Sequence, residues 1–240
     1  MGPGLAAGKR VIPSLPLTGV HALRQTYDCI TNLPAGIPVF PLSGALLLPQ
    51  GELPLNVFEP RYLRMVDDAL RGDRMIGVIQ PEFGDDEVGL PALARVGCAG
   101  RITGFNETAD GRYLIVLTGV CRFNVAAETT RGTPYRTVAP DWSPFADDLL
   151  DDAHDDLVDG DGLARALRGY LSRLGHAADW NSIEKSSAQT LINSISAQCP
   201  FTYAEKQALL EAQTLKDRCA ALIALLDMGG RPGRDKESVQ

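Results

Sequence analysis

Three groups of residues have types and spacings that could do chemistry. The first is "GLAAGKR" from Gly4, a glycine-rich run ending in lysine, the pattern that cradles phosphates with backbone N–H groups and a cation. It is one residue short, puts Arg10 where a Ser or Thr hydroxyl must reach magnesium, and follows no strand, so nucleotide binding is not expected there. The second is the aspartate-dense "DWSPFADDLLDDAHDDLVDGDG" around His154. A calcium loop needs oxygen ligands at alternate positions and a distal glutamate, and a loop starting at Asp155 would have Leu157 at a ligand position. The run reads instead as a solvated linker whose acids favour the N-terminus of the helix after Asp161. The third group is the histidines and cysteines. His21, His154 and His176 lie far apart, and no H-E-x-x-H, G-x-S-x-G or Ser–Lys frame accompanies them. Cys29, Cys98, Cys121, Cys199 and Cys219 are odd in number and form no C-x-x-C pair. Four of them lie in apolar runs, as free thiols buried in a reducing cytosol do. No catalytic residue, metal ligand or cofactor is expected.

Composition narrows the partners. Hydrophobic residues make up 45% of the 240, enough for a core, and the net charge is −7. An acidic balance disfavours nucleic acid, because affinity for phosphate backbones comes largely from Lys and Arg. No apolar run approaches the ~20 residues that span a bilayer, so neither a membrane nor a nucleic-acid partner is expected. Lys9 and Arg10 precede "VIPSLPLTGVHA", but Pro13 and Pro16 break its apolar centre, so this is not read as a signal peptide and a cytoplasmic location is expected.

The elements that must position any site fall into two blocks. Residues 1–34 show no sustained periodicity and read as a poorly ordered extension. Residues 35–142 carry strand signals: "IPVFPL", "LPLNVF", "MIGVIQP", "ALARVGCAGRITGF", "RYLIVLTGV", "CRFNVAAE" and "YRTVAP", with a hairpin turn at "ADG". Gly97, Gly100 and Gly104 suggest bends or bulges in a curled sheet. One helix interrupts the series, "EPRYLRMVDDALRG", with Pro60 in its first turn and Gly72 as its stop. Along "CRFNVAAE", Cys121, Phe123 and Val125 alternate with Arg122, Asn124 and Ala126. Six or seven short strands predict a closed or half-closed, mostly antiparallel barrel. Residues 143–160 read as the acidic linker, 161–228 as a bundle of three or four helices with a T-x-x-E capping box at Thr202 and Glu205, and 229–240 as a tail.

"PVFPLSGALLLPQGELPLNVFEPRY", then "VGCAGRITGF" and "DGRYLIVLTGVCRF", resembles the N-terminal substrate-binding domain of the Lon ATP-dependent proteases. The likeness is strongest to bacterial proteins made of that domain alone, and "CPFTYAEKQALLEAQTLKDRCAALIALL" is similar to their second half. The resemblance covers roughly residues 36–228. It implies a six-stranded PUA-like β domain with one helix, followed by a helical domain, an α+β class that agrees with the pattern of strands first and helices second. It also implies non-catalytic binding of unfolded or partner polypeptides. Full-length Lon proteases continue into an ATPase and a Ser–Lys peptidase, neither of which has its motifs here. RNA binding, known for PUA-like folds elsewhere, and an unrecognised hydrolase are the alternatives.

On this reading Pro38, Pro41, Pro49 and Pro54 hold the apolar stretch extended, so that it frames a shallow surface. Leu46, Leu47, Leu48 and Pro49 are the expected partner contact, because three consecutive apolar residues cannot all face one side of a strand. The competing expectation buries all three leucines beneath the helical domain. In "FEPRY", Phe58 is expected to anchor the core, Glu59 to cap the helix that Pro60 begins, and Arg61, beside Tyr62, to pair with a nearby carboxylate.

Overall fold

The computed structural model of the protein describes residues 27–82, 91–129, 132–150, 158–175, 180, 183 and 186–229. The expectations for "GLAAGKR", for the three histidines, for residues 151–157 and for the tail beyond Gly229 lie outside the described residues.

Six strands form one sheet: β1 (Ile37–Pro41), β2 (Glu52–Val57), β3 (Met75–Glu82), β4 (Ala92–Glu107), β5 (Tyr113–Thr129) and β6 (Thr137–Asp141). The order is β2-β5-β4-β3-β1-β6, and β6 also pairs with β5, so the sheet closes on itself with β2 outside the closure. Closure is possible because β5 is long enough to serve two partners. Its first half pairs with β2 and its second half with β6. "RYLIVLTGV" and "CRFNVAAE" are therefore one strand rather than two. Register shifts fall at Ala99/Gly100 and Ile102/Gly104, where the glycines signalled bends. β1 and β3 run parallel, joined across helix α1 (Pro60–Arg71), while the other pairings are antiparallel.

The proline-rich segment between β1 and β2 closes the core. Leu46, Leu47 and Leu48 are 4%, 2% and 2% exposed and Pro49 is buried, which corrects the expectation of a free apolar contact there. Glycines in the sheet make this burial possible. A Cβ on Gly100 would lie 2.7 Å from the Leu47 side chain, and one on Gly119 would lie 2.0 Å from the Leu48 carbonyl oxygen. The backbone of Gly119 bonds this segment on both sides, donating to Gly51 O at 2.8 Å and accepting from Gln50 N at 2.9 Å.

The helical half comprises α2 (Gly160–Leu174), α3 (Ala188–Gln198), α4 (Tyr203–Glu211) and α5 (Leu215–Met228). Side-chain caps start each helix: Asp159, Ser187, Thr202 and Thr214 accept from backbone N–H groups, and Thr202 with Glu205 forms the expected capping box. α2 packs on α5, and Leu163 and Leu167 of the one and Leu222 and Leu226 of the other are buried. Polar side chains join the halves. Asn193 Nδ2 donates to Pro49 O at 2.7 Å, Lys206 Nζ donates to Gly44 O, and Gln80 Nε2 donates to Gln207 Oε1 at 3.0 Å. Burial pushes the Lys206 ammonium down from its ordinary pKa.

Two further expectations are corrected. Residues 27–33 are not loose: Leu33 is buried, and Arg101 donates to the Tyr27 hydroxyl at 3.1 Å. The first part of the linker is a 3-10 turn (Ser143–Leu149) with Phe145 buried and Asp148 only 8% exposed at its side chain. The reason is Arg122, placed by alternation on the face away from Phe123 and itself 3% exposed. Its Nε and Nη2 donate to the two Asp148 oxygens at 2.8 and 2.7 Å, and its backbone N–H adds a third bond at 2.9 Å. Nη1 donates to the carbonyls of Leu210 and Ala212, and Nη2 to that of Gln213, so one guanidinium ties β5, the 3-10 turn and the end of α4. Its Cζ lies 4.4 Å from the centroid of the Phe145 ring.

Breaking a buried ion pair strands a charge and costs about 3–5 kcal/mol. Arg122→Ala should lose that much in a denaturant melt. Arg122→Met with Asp148→Leu should recover a substantial part of it, because neither charge is then left alone. A loss below about 1 kcal/mol for the single change would contradict this role.

Candidate functional site

The paired ends of β4 and β5 extend past β3 and β1. β3 last meets β4 at Arg101, and beyond it Gly104–Glu107 pair with β5 alone. The turn that joins them is held by Thr108 N to Arg112 O and by Gly111 N to Thr108 O, both at 2.9 Å, with Gly111 at φ +79°. This is the hairpin expected at "ADG". Direct cross-strand partners share a face. One row on the inner face is therefore Leu55, Ile115 and Phe105, and the next is Val57, Tyr113 and Glu107.

Along these rows the apolar surface runs from core to solvent. Ile115 and Val57 are 1% exposed, whereas Phe105 is 45% exposed. Phe105 meets Tyr113 edge to face, with centroids 5.0 Å apart. Tyr113 is fixed in turn by donating its hydroxyl to Asp67 Oδ1 of α1 at 3.1 Å. Leu114, on the outer face, is 42% exposed.

Phe58 lies on the outer face at the end of β2, and its position corrects the expectation that it anchors the core: it is 62% exposed. The reason is alternation. Val57 is the last inward residue of β2, so the next side chain turns away before the chain enters α1. The Arg112 guanidinium lies 5.8 Å from the Phe58 centroid and pairs with Asp110 at 3.0 Å. Pro60 opens α1 as expected. Glu59 occupies the N-cap position but its side chain caps no backbone N–H of the helix; it pairs with the Arg61 side chain at 2.8 Å instead. Arg61 also covers the ring of Tyr62, which is buried. The overhang thus exposes apolar side chains on both faces, Phe105 beside half-buried Tyr113 on the inner one and Phe58 and Leu114 on the outer one, and these do not include Leu46–Pro49.

Burial pushes the thiols of Cys98 and Cys121 well up, and that of Cys219 up to about 11, so little reactive thiolate forms near neutral pH. Among the described residues no cluster of three His, Cys, Asp or Glu side chains is placed to hold a metal ion. No described helix is long and apolar enough to cross a membrane.

Residues 36–228 match the family described as the ATP-dependent protease La (LON) substrate-binding domain. The chain belongs to this family. Among curated relatives, the Lon protease of Anaeromyxobacter dehalogenans is 28% identical over 93% of this chain and 26% of that protein. The Lon protease of Escherichia coli K12 is 24% identical over 80% of this chain and 24% of that protein. The chain therefore spans about a quarter of the length of these relatives. The crystal structure of a Lon N-terminal domain protein from Xanthomonas campestris aligns with TM-score 0.56 and 25% identity, covering 79% of this chain and 97% of that one. The N-terminal domain of the Mycobacterium avium complex Lon protease aligns with TM-score 0.59 at 17% identity, covering 80% and 97%, and shows the shared fold. The family's matched region is its substrate-binding module rather than a catalytic one.

The thiol environments give a direct check. A thiol reagent at neutral pH should label the exposed Cys29 quickly, and Cys98 and Cys121 only on unfolding. Labelling of all three at comparable rates in the folded protein would contradict the burial described.

Proposed function

We propose that this chain recognises polypeptides, binding unfolded or partner protein segments through the overhanging β4–β5 hairpin and the adjoining end of β2, without catalysis of its own. Membership of a substrate-binding family supports a recognition role. The observation that carries the assignment to this region is the exposure of Phe105 and Leu114 on the two faces of the overhanging hairpin and of Phe58 at the adjoining end of β2. Large apolar side chains gathered at the surface mark interaction sites, and aromatic residues supply much contact area for little lost entropy. The surface is also supported from below, because Tyr113 is bonded to α1 and Ile115 and Val57 are core residues. Rigid support keeps the ordering cost of binding low. The net charge of −7 favours a protein partner over RNA. A cytoplasmic location fits the free cysteines, three of which are buried.

The test is a titration with a permanently unfolded client, such as a reduced and carboxymethylated protein. Phe58→Ser combined with Phe105→Ser should weaken binding about tenfold or more, as loss of exposed aromatic anchors does. Stability should move by no more than about 1 kcal/mol, since both side chains are largely in solvent. Unchanged affinity in a stable double variant would contradict the proposal.

A further inference from the structure

Among the described residues, the edge of β2 away from β5 is unpaired, with donors and acceptors set out for another strand. The Gly51–Gly119 bond fixes the phase of the β2–β5 ladder, since the register runs on from it through Glu52↔Thr118. Backbone groups of an antiparallel pair alternate in direction. Leu53, Leu55 and Val57 therefore turn theirs toward β5, and Glu52, Pro54 and Asn56 turn theirs away. Pro54 fits that phase, because it has no N–H to lose from the ladder. Among the described residues β2 pairs with β5 alone. Its outer edge thus offers the N–H groups of Glu52 and Asn56 and the carbonyls of Glu52, Pro54 and Asn56.

Resting on the reading that the chain binds polypeptides, we propose that an extended client segment adds as a strand along β2, with apolar residues at alternate positions and basic residues between them. Three observations select this occupant. Leu53 and Leu55, half-buried on the inner face, continue into the apolar rows below Phe105, so every second client side chain meets apolar surface. Glu52 is exposed on the other face and joins no ion pair among the described residues, and the whole chain is acidic, so the intervening side chains meet negative charge. A second copy of β2 fits poorly. The two antiparallel two-fold registers with the greatest overlap centre on Pro54 or on Leu55, and each sets Pro54, which has no donor, in a bonding position, opposite its own copy or opposite Asn56. Strand addition takes affinity from main-chain bonds and selectivity from alternate side chains, which suits a module that meets many sequences.

The test uses a fluorescein-labelled peptide of about eight residues alternating Val and Lys, with the full chain and anisotropy as readout. In an added strand, the amides of one residue type face β2 and those of the other face solvent. N-methylating all Lys amides should abolish binding for an antiparallel addition, and methylating all Val amides for a parallel one. The other set should change affinity by less than about threefold, while the sensitive set loses at least about tenfold with its hydrogen bonds. Glu52→Lys should weaken the Val–Lys peptide and strengthen a Val–Glu counterpart. Equal effects of the two methylated sets, or no binding of the parent peptide, would overturn strand addition. The aromatic double variant tested on the unfolded client decides the broader reading separately: loss there, with equal methylation effects, leaves polypeptide recognition standing and removes only this mode.

Discussion

A buried guanidinium organises this protein. Arg122 leaves β5 toward the helical half, and nothing in that environment can solvate it except what the fold supplies: Asp148, three carbonyls at the end of α4, and the face of Phe145. A charge removed from water demands nearly complete compensation. Satisfying it fixes where the 3-10 turn lies against the sheet and where α4 ends. Arg218, also buried, donates to Leu209 O at 3.0 Å nearby, and burial draws it down to about 10. The halves are thus joined by directional polar contacts as well as by apolar packing, which sets one relative placement and not a range of slipped ones.

The same junction explains the proline-rich segment. Held extended, it lays Leu47 over Gly100 and Leu48 over Gly119 and leaves the carbonyls of Pro49 and Gly44 to α3 and α4 through Asn193 and Lys206. Its apolar character serves closure. With that side of the sheet covered, the surface proposed for recognition is the overhang, where β4 and β5 outrun their neighbours. Length mismatch between strands is what turns core rows into exposed rows there. Ile115 and Phe105 are direct partners, yet one is buried and the other is in solvent.

Much of this architecture was legible in the sequence because it rests on local signals. Proline at Pro60, glycine at Gly72 and the Thr202–Glu205 box mark helix ends by chemistry that acts within a turn. Apolar alternation and the "ADG" turn mark strands in the same way. What was not legible depends on contacts far apart in the chain. An arginine at an outward strand position ordinarily faces water, and only the pairing of residues 122 and 148 makes it buried. Three consecutive leucines read as partly exposed because a strand has two faces, and the covering helices lie about 140 residues downstream. Phe58 read as core because it is aromatic beside a helix start, though alternation from Val57 already pointed it outward. The overhang was hidden because "RYLIVLTGV" and "CRFNVAAE" read as two short strands, whereas β4 and β5 are 16 and 17 residues and β3 is 8.

The central claim is that polypeptide recognition resides on the overhang and not at the junction or on the helices. Mapping backbone amide shifts while titrating an unfolded client into the labelled protein tests it most directly. The account predicts perturbations concentrated at residues 52–58 and 103–115, with the Arg122 junction and α2–α5 little changed. Perturbations confined to the helical half, with the overhang unaffected, would contradict it.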